Sequence, residues 1–193
     1  MEHPYVEGKT FNKTDWAPGS LLKGEYENCT FKQCDFSNAD FSEFKFIQCA
    51  FTDCNLSLAM LSKTSFHEAR FTGCKMLGLR FDKCSEFGLS FSFDNCQLNH
   101  CSFYNTKIKK THFRNSQLHE ADFTGCDLTS AVFENCDLNR AMFESTVIEK
   151  ADFRTSYNYS IDPEMNRLKK AKFSVQGISG LLNKYDIEIE NSF

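Results

Sequence analysis

The sequence predicts an all-β solenoid, a β-helix whose coils have four sides of five residues each. A large apolar residue recurs at every fifth position, a small residue usually stands two positions before it, and the pattern covers most of the 193-residue chain. A period of five fits neither an α-helix nor a strand, and a sustained internal repeat is typical of a solenoid. We call the large residues central; they run in two registers, Tyr26, Phe31, Phe36, Phe41, Phe46, Phe51, Leu56, Leu61, Phe66, Phe71, Met76 and Phe81, then Phe93, Leu98, Phe103, Ile108, Phe113, Leu118, Phe123, Leu128, Phe133, Leu138, Phe143, Ile148 and Phe153.

Each five-residue unit is predicted to form one short side and one corner of a coil. The small and central residues are two positions apart, so an extended backbone points both inward. The residues directly before and after a central residue, such as Asp122 and Thr124 around Phe123, then point outward. Asn115 and Gly125 stand where a tight corner must follow, and both residue types suit such turns. Four units close one coil, and stacked coils pair their backbones at about 4.8 Å.

The repeat is interrupted once, at residues 85–92. The first register carried forward would put Glu86 in the core, where an unpaired charge is costly, and the second carried back would put Gly88 there. We therefore predict that this segment absorbs a two-residue insertion as a bulged corner. The registers predict two stacks of rings, one of Phe31, Phe51, Phe71 and Phe91, and one of Phe93, Phe113, Phe133 and Phe153.

The composition argues against several classes of protein. The net charge of −4 shows no bulk bias toward nucleic acid, so we predict no direct nucleic-acid binding. No apolar run approaches the length of a membrane span, so no membrane association is predicted. The first residues lack the basic and apolar regions of a signal peptide, which predicts a cytoplasmic location.

The ten cysteines are predicted to be structural. Nine of them stand two positions before a central residue, where other units have Ala, Thr or Ser, and Cys84 holds the same place in the first register carried one unit beyond Phe81. A reduced cysteine in that place acts as a small apolar residue, although a metal or disulfide role is the alternative. They are Cys29, Cys34, Cys49, Cys54, Cys74, Cys84, Cys96, Cys101, Cys126 and Cys136.

No motif in the sequence indicates catalysis. His67, His100, His112 and His119 fall at outward positions without an acid–histidine–nucleophile arrangement, and no glycine-rich phosphate loop is present. We predict that the protein is not an enzyme and uses no cofactor, metal or small-molecule substrate.

The two ends of the array are expected to differ from the repeats. Residues 1–8 are predicted to form an irregular tail, residues 9–155 the repeat array, and residues 156–193 a C-terminal module. At the front, Phe11, Trp16 and Leu21 keep the five-residue spacing with poor small positions, which predicts a degraded first coil plugged by Trp16.

The C-terminal module is predicted to contain a helix and a strand. Asp162 and Pro163 resemble a helix start, residues 174–185 read as a short helix, and residues 186–190 alternate like a strand. The module either caps the last coil or forms a homodimer interface. Its apolar residues, and so the candidate dimer contacts, are Ile178, Leu181, Leu182, Tyr185, Ile187 and Ile189.

Units such as Ala39-Asp40-Phe41 and Ala121-Asp122-Phe123 resemble the repeats of the pentapeptide-repeat family. The resemblance covers about residues 9–155 and implies a right-handed quadrilateral β-helix. The C-terminal order of helix and short strand is similar to the quinolone-resistance (Qnr) branch and its mycobacterial relatives. That similarity implies end-to-end dimers that bind DNA gyrase or topoisomerase IV as DNA mimics. The unbroken units resemble members of the branch without large projecting loops.

Two functions from different classes follow. The first is a DNA mimic that binds a bacterial type II topoisomerase and modulates quinolone susceptibility; the second is a cytosolic scaffold for another protein partner. The low net charge means that mimicry must come from the arrangement of acidic residues. The candidate partner-binding residues are Asp122, Asp127, Glu134, Asp137 and Glu144.

Overall fold

A computed structural model describes residues 4–13 and 21–190. The chain forms the predicted four-sided β-helix, in which each coil pairs in parallel with the next. Wall 1 contains Tyr26, wall 2 Phe31, wall 3 Phe36 and wall 4 Phe41. The strands are β1 (Tyr5–Glu7), β2 (Thr10–Asn12), β3 (Glu25–Glu27), β4 (Thr30–Lys32), β5 (Lys45–Ile47), β6 (Ala50–Thr52), β7 (Ser65–His67), β8 (Ala69–Thr72), β9 (Phe91–Asp94), β10 (His112–Arg114) and β11 (Val132–Glu134).

The walls differ in how regularly their backbones pair. Wall 1 begins as the sheet β1-β3-β5-β7, and wall 2 is the seven-stranded sheet β2-β4-β6-β8-β9-β10-β11. Walls 3 and 4 are joined by single bridges, such as Asp35 with Asn55 and Asp122 with Met142. Bridges of this kind also extend wall 1 beyond its last strand, where Lys107 pairs with Asp127. The ladder therefore fixes which outward side chains stand above one another.

The corners use left-handed backbone, as the Asn and Gly positions predict. Asn115 has φ 49° and Gly125 has φ 68°, and the corner amide of Gly125 donates to the carbonyl of Glu144 in the next coil at 2.8 Å. A Cβ at Gly125 would also lie 1.9 Å from the Asn105 amide oxygen below it. Asparagine and glycine tolerate this conformation at least cost, which explains their frequency at the corners.

The core is a set of stacked rings. Phe113 is fully buried, and its ring centroid lies 5.2 Å from that of Phe93 below and 4.7 Å from that of Phe133 above. Rings on neighbouring walls meet edge to face, as Phe113 and Phe123 do at 5.9 Å. Both geometries suit the aromatic quadrupole and contribute roughly 0.5–1.5 kcal/mol per pair beyond burial. The rings of one continuous stack on wall 2 are Phe11, Phe31, Phe51, Phe71, Phe93, Phe113, Phe133, Phe153 and Phe173.

That continuous stack corrects the prediction of two stacks that meet at Phe91. Phe71 pairs with Phe93, 22 positions later, whereas Phe51 pairs with Phe71, 20 positions later. The two-residue insertion is thereby confirmed. The extra residues lie before β9, so the ring of Phe93 still stacks on that of Phe71. Glu86 is exposed and Leu89 is buried.

The predicted burial of the cysteines is confirmed. All ten are buried and none is in a disulfide. The Cys49 thiol donates to the Tyr26 carbonyl of the preceding coil at 3.2 Å, and burial raises the pKa of Cys101 to about 12. Among residues 4–13 and 21–190, no group of three or more His, Cys, Asp or Glu side chains is placed to hold a metal ion.

The N-terminal tail is not irregular, which corrects that expectation for residues 5–7. This segment forms β1 and pairs with β3, with Val6 opposite Tyr26. Val6 stands 20 positions before Tyr26 and so extends the array by one side. The predicted plug, Trp16, lies outside the described residues.

The C-terminal secondary structure also differs from the prediction. No helix begins at Asp162: its carboxylate accepts the Glu164 amide in a turn at 2.8 Å, and Arg167 then bridges to Val147. The backbone ladder therefore runs beyond residue 155. The predicted helix consists of two short 3₁₀ helices, Ile178–Leu181 and Asn183–Tyr185, and residues 186–190 form no strand. Among the described residues there is no α-helix, and hence none that could cross a membrane.

Candidate partner-binding surfaces

The five predicted partner-binding carboxylates lie on four different walls. Asp127 lies on wall 1, where its backbone pairs with Lys107 of the preceding coil; Glu134 lies on wall 2, and Asp137 lies on wall 3. Only Asp122 and Glu144 share a wall, on adjacent coils of wall 4. Residues 20 positions apart lie on the same wall, so this division of the five carboxylates among the walls also follows from the sequence. The structure does not gather the five into one site.

Two of the five are engaged by neighbours in the same molecule. The Lys109 ammonium lies 3.1 Å from an Asp127 carboxylate oxygen and neutralises it. The Asp137 carboxylate accepts a hydrogen bond from the Asn158 side-chain amide at 2.8 Å, and one of its oxygens lies 2.8 Å from the His119 Nε2 atom. Partial burial would raise the pKa of Asp127, but hydrogen bonds from Thr129 and Lys109 outweigh it and hold that pKa below its usual value. Asp127 therefore offers little net charge to a partner, and the Asp137 carboxylate is held within wall 3 by hydrogen bonding.

Wall 4 retains carboxylates of a different kind. Neither Asp122 nor Glu144 forms an ion pair with any residue in the described ranges. Asp122 is held in place because its carboxylate accepts the Thr124 amide at 2.9 Å. Tyr104 and Met142, with about half of their surfaces exposed, stand at outward positions of the same wall. We call Asp122, Glu144, Tyr104 and Met142 the acidic wall.

The apolar residues of the acidic wall, Tyr104 and Met142, were not predicted from the sequence. Tyr104 and Met142 stand directly after and before central residues, where the inward–outward rule predicts exposure. Their positions in the repeat could therefore have identified them as exposed apolar residues. Aromatic residues and methionine are enriched at protein–protein interfaces relative to the rest of the surface.

The six apolar residues of the C-terminal module divide into two groups. Leu181 packs against the core and Leu182 is partly buried. The other four remain about half exposed: Ile178, Tyr185, Ile187 and Ile189. We call these four the terminal patch.

The C-terminal module is held on the last coil by close contacts. The Ile161 amide donates to the Gly180 carbonyl at 2.9 Å, and the Lys184 ammonium lies 2.8 Å from Asp162 and 2.6 Å from Glu164. A Cβ at Gly180 would lie 2.3 Å from the Tyr159 carbonyl oxygen. The terminal patch is therefore presented on a module that fits the end of the β-helix closely.

Comparisons with known proteins agree with this architecture. Residues 25–92 and 80–153, more than half of the chain, match the family model described as a pentapeptide repeat region. No curated protein sequence matches significantly.

Two solved structures of similar fold are trypsin-treated variants of QnrB1, a plasmid-mediated fluoroquinolone resistance protein. One is 20% identical, with a TM-score of 0.62 over 98% of this chain and 99% of that chain. The other is 18% identical, with a TM-score of 0.64 over 99% of this chain and 100% of that chain. At such identities the likeness establishes the fold alone.

Proposed function

Because the chain belongs to the pentapeptide-repeat family, we propose that it is a non-enzymatic DNA mimic that binds a bacterial type II topoisomerase in the cytoplasm and modulates its response to quinolones. The observation that carries the proposal is the acidic wall, which presents Asp122 and Glu144 outside the ion pairs of the described residues. The cation that acts on Asp122, Arg80, is itself paired with Asp82. The fold shared with a fluoroquinolone resistance protein supports the choice of partner.

The dimensions of the rod suit a surface that normally holds a DNA segment. Nine rings stacked at about 4.8 Å per coil give a length of roughly 40 Å. Duplex DNA of that length carries on the order of 20 charges, at one per 1.7 Å, far more than the net charge of this chain. Binding must therefore depend on a few local carboxylates together with Tyr104 and Met142, which contribute contact area.

We predict that the protein inhibits supercoiling by purified gyrase at micromolar concentration and reduces the DNA cleavage that a quinolone induces. Replacing Asp122 and Glu144 with lysine should weaken both effects about tenfold or more, because lysines would face the basic surface that binds DNA. The measurement is supercoiling and quinolone-induced cleavage, each titrated with wild type and with the double variant.

The matched control carries Glu7→Lys and Glu68→Lys, the same charge change on the N-terminal half of wall 1. It should inhibit like the wild type. If wild type at tens of micromolar changes neither reaction with gyrase or topoisomerase IV, the DNA-mimic proposal is wrong and the scaffold function remains.

We also propose that the terminal patch joins two copies end to end. A two-fold axis would place each patch against its copy, so the partly exposed Ile178, Tyr185, Ile187 and Ile189 would lose contact with water in both subunits. This arrangement would double the length of the rod. It would also cover the open end of the β-helix.

The dimer is tested by placing charge in the patch. The double variant Ile178→Glu and Ile187→Glu should weaken dimerisation about 100-fold, because a buried unpaired carboxylate costs several kcal/mol. Sedimentation velocity across a concentration series measures this. Leu58→Glu, at an exposed apolar residue far from the patch, should sediment like wild type. A wild type that is monomeric at tens of micromolar would refute the dimer.

A further inference from the structure

Wall 1 changes the sign of its charge along the rod. In its N-terminal half, outward residues include Glu7, Glu25, Glu27 and Glu68. In its C-terminal half, over residues 106–110, 126–130, 146–150 and 166–170, seven outward side chains are basic and two are acidic. We call this C-terminal half the basic wall; its cations are Lys107, Lys109, Lys110, Lys150, Arg167, Lys169 and Lys170.

Two cations of the basic wall are neutralised by carboxylates of the described residues. Its two acidic residues, Asp127 and Glu149, pair with Lys109 at 3.1 Å and with Arg167 at 2.7 Å. The other five lysines are exposed, and none forms an ion pair with a residue in the described ranges. These five are Lys107, Lys110, Lys150, Lys169 and Lys170.

The backbone ladder aligns these charges along the rod. Lys110, Lys150 and Lys170 occupy one corner column with φ of 59°, 59° and 63°, and Lys107 stands in a second column below Arg167. At about 4.8 Å per coil, the cations extend over roughly 14 Å. A line of charges of this length matches a linear polyanion better than a single small anion.

The basic wall has no apolar anchor. The exposed large apolar side chains of the described residues all lie outside its four segments. A hydrophobic protein partner and an inserted lipid surface are therefore disfavoured, because both would require apolar contacts. Electrostatic contact with phosphates needs none, since binding is driven by release of counterions.

We propose that the basic wall binds the phosphate backbone of duplex DNA without sequence preference. Duplex over 14 Å presents about eight phosphates, enough for all five unpaired lysines. The net charge of −4 led to the opposite expectation from the sequence, because a total charge hides the separation of acidic and basic walls. This activity is independent of the proposed topoisomerase binding.

Fluorescence anisotropy with a short labelled duplex tests the proposal in the absence of any topoisomerase. We expect a dissociation constant in the micromolar range at about 50 mM salt, and a log–log salt slope of about −4.5 for five neutralised phosphates. Changing Lys107, Lys110, Lys150, Lys169 and Lys170 to glutamine should weaken binding at least tenfold and bring the slope close to zero.

The matched control changes five exposed lysines elsewhere, none of them in an ion pair within the described ranges, to glutamine: Lys9, Lys13, Lys32, Lys63 and Lys75. It has the same net charge and should keep most of the affinity and slope. Circular dichroism checks that both variants are folded.

Three results would overturn the proposal. They are no binding of wild type at about 50 mM salt, equal loss of binding in both variants, and binding to vesicles containing phosphatidylserine without binding to duplex. Because the assay contains no topoisomerase, failure of the DNA-mimic proposal leaves this result unaffected.

Discussion

Replacing Phe113 with alanine is expected to lower the free energy of unfolding by about 3–5 kcal/mol. The ring is fully buried, stacks between Phe93 and Phe133, and meets Phe103 and Phe123 edge to face at 5.8 and 5.9 Å. These neighbours are tied to the backbone ladder at a fixed spacing, so they cannot collapse into the space left by the ring. Urea denaturation followed by circular dichroism measures the change as a lower midpoint.

The control for Phe113 is Phe87, which lies in the bulged corner with 90% of its surface exposed. Phe87→Ala should change stability by no more than about 0.5 kcal/mol, since it removes no core contact. Equal losses at Phe113 and Phe87 would contradict the continuous ring stack as the source of stability.

Replacing Gly180 with alanine is expected to loosen the C-terminal module while the coils stay folded. The added Cβ would lie 2.3 Å from the Tyr159 carbonyl oxygen and 2.8 Å from its ring, so backbone must move. Overpacking of this kind costs about 1–3 kcal/mol. Amide hydrogen exchange should rise about five- to 150-fold over residues 174–190, given tenfold per 1.4 kcal/mol. It should change little around Phe113.

Ser179→Ala is the matched control, because Ser179 is exposed in the same 3₁₀ helix and its side chain makes no hydrogen bond in the described structure. Its exchange rates should equal those of wild type. If Gly180→Ala behaves identically, the close packing of the module on Tyr159 does not hold it in place. If the terminal patch dimerises, Gly180→Ala should weaken the dimer as well.

The inward-facing half of the molecule was predictable because it depends on local spacing. Phe113 stands two positions after the small residue Thr111, and an extended backbone points two such residues to the same side. The same holds for Cys126 and the central residue Leu128, and it does not depend on the rest of the chain. Burial of the central residues and of all ten cysteines is therefore confirmed from this rule alone. The same reasoning located the two-residue insertion, since Glu86 could not enter the core.

The C-terminal module was predicted less well because its signals are ambiguous. A carboxylate before Pro163 can cap a helix or close a turn, and continued pairing of Arg167 with Val147 selected the turn. Packing of Gly177 and Gly180 against Tyr159 favours short 3₁₀ turns over a longer helix. Such contacts join residues about 20 positions apart, beyond the reach of any local pattern.

The sequence by itself determined which residues of this protein are inside and which are outside, since that choice repeats every five residues. Within one register the same spacing also assigns outward residues to walls; only the tertiary structure decided how the two registers align and which outward side chains form ion pairs. Paired residues on neighbouring coils are 20 positions apart, but across the bulged corner they are 22 positions apart, as Lys75 and Gln97 are. This single shift sets which residues of the second register lie above those of the first. Asp127 left the candidate surface because it pairs with Lys109, whereas Asp122 and five lysines of the basic wall form no ion pair among the described residues. Such pairing depends on neighbours that the coil brings together.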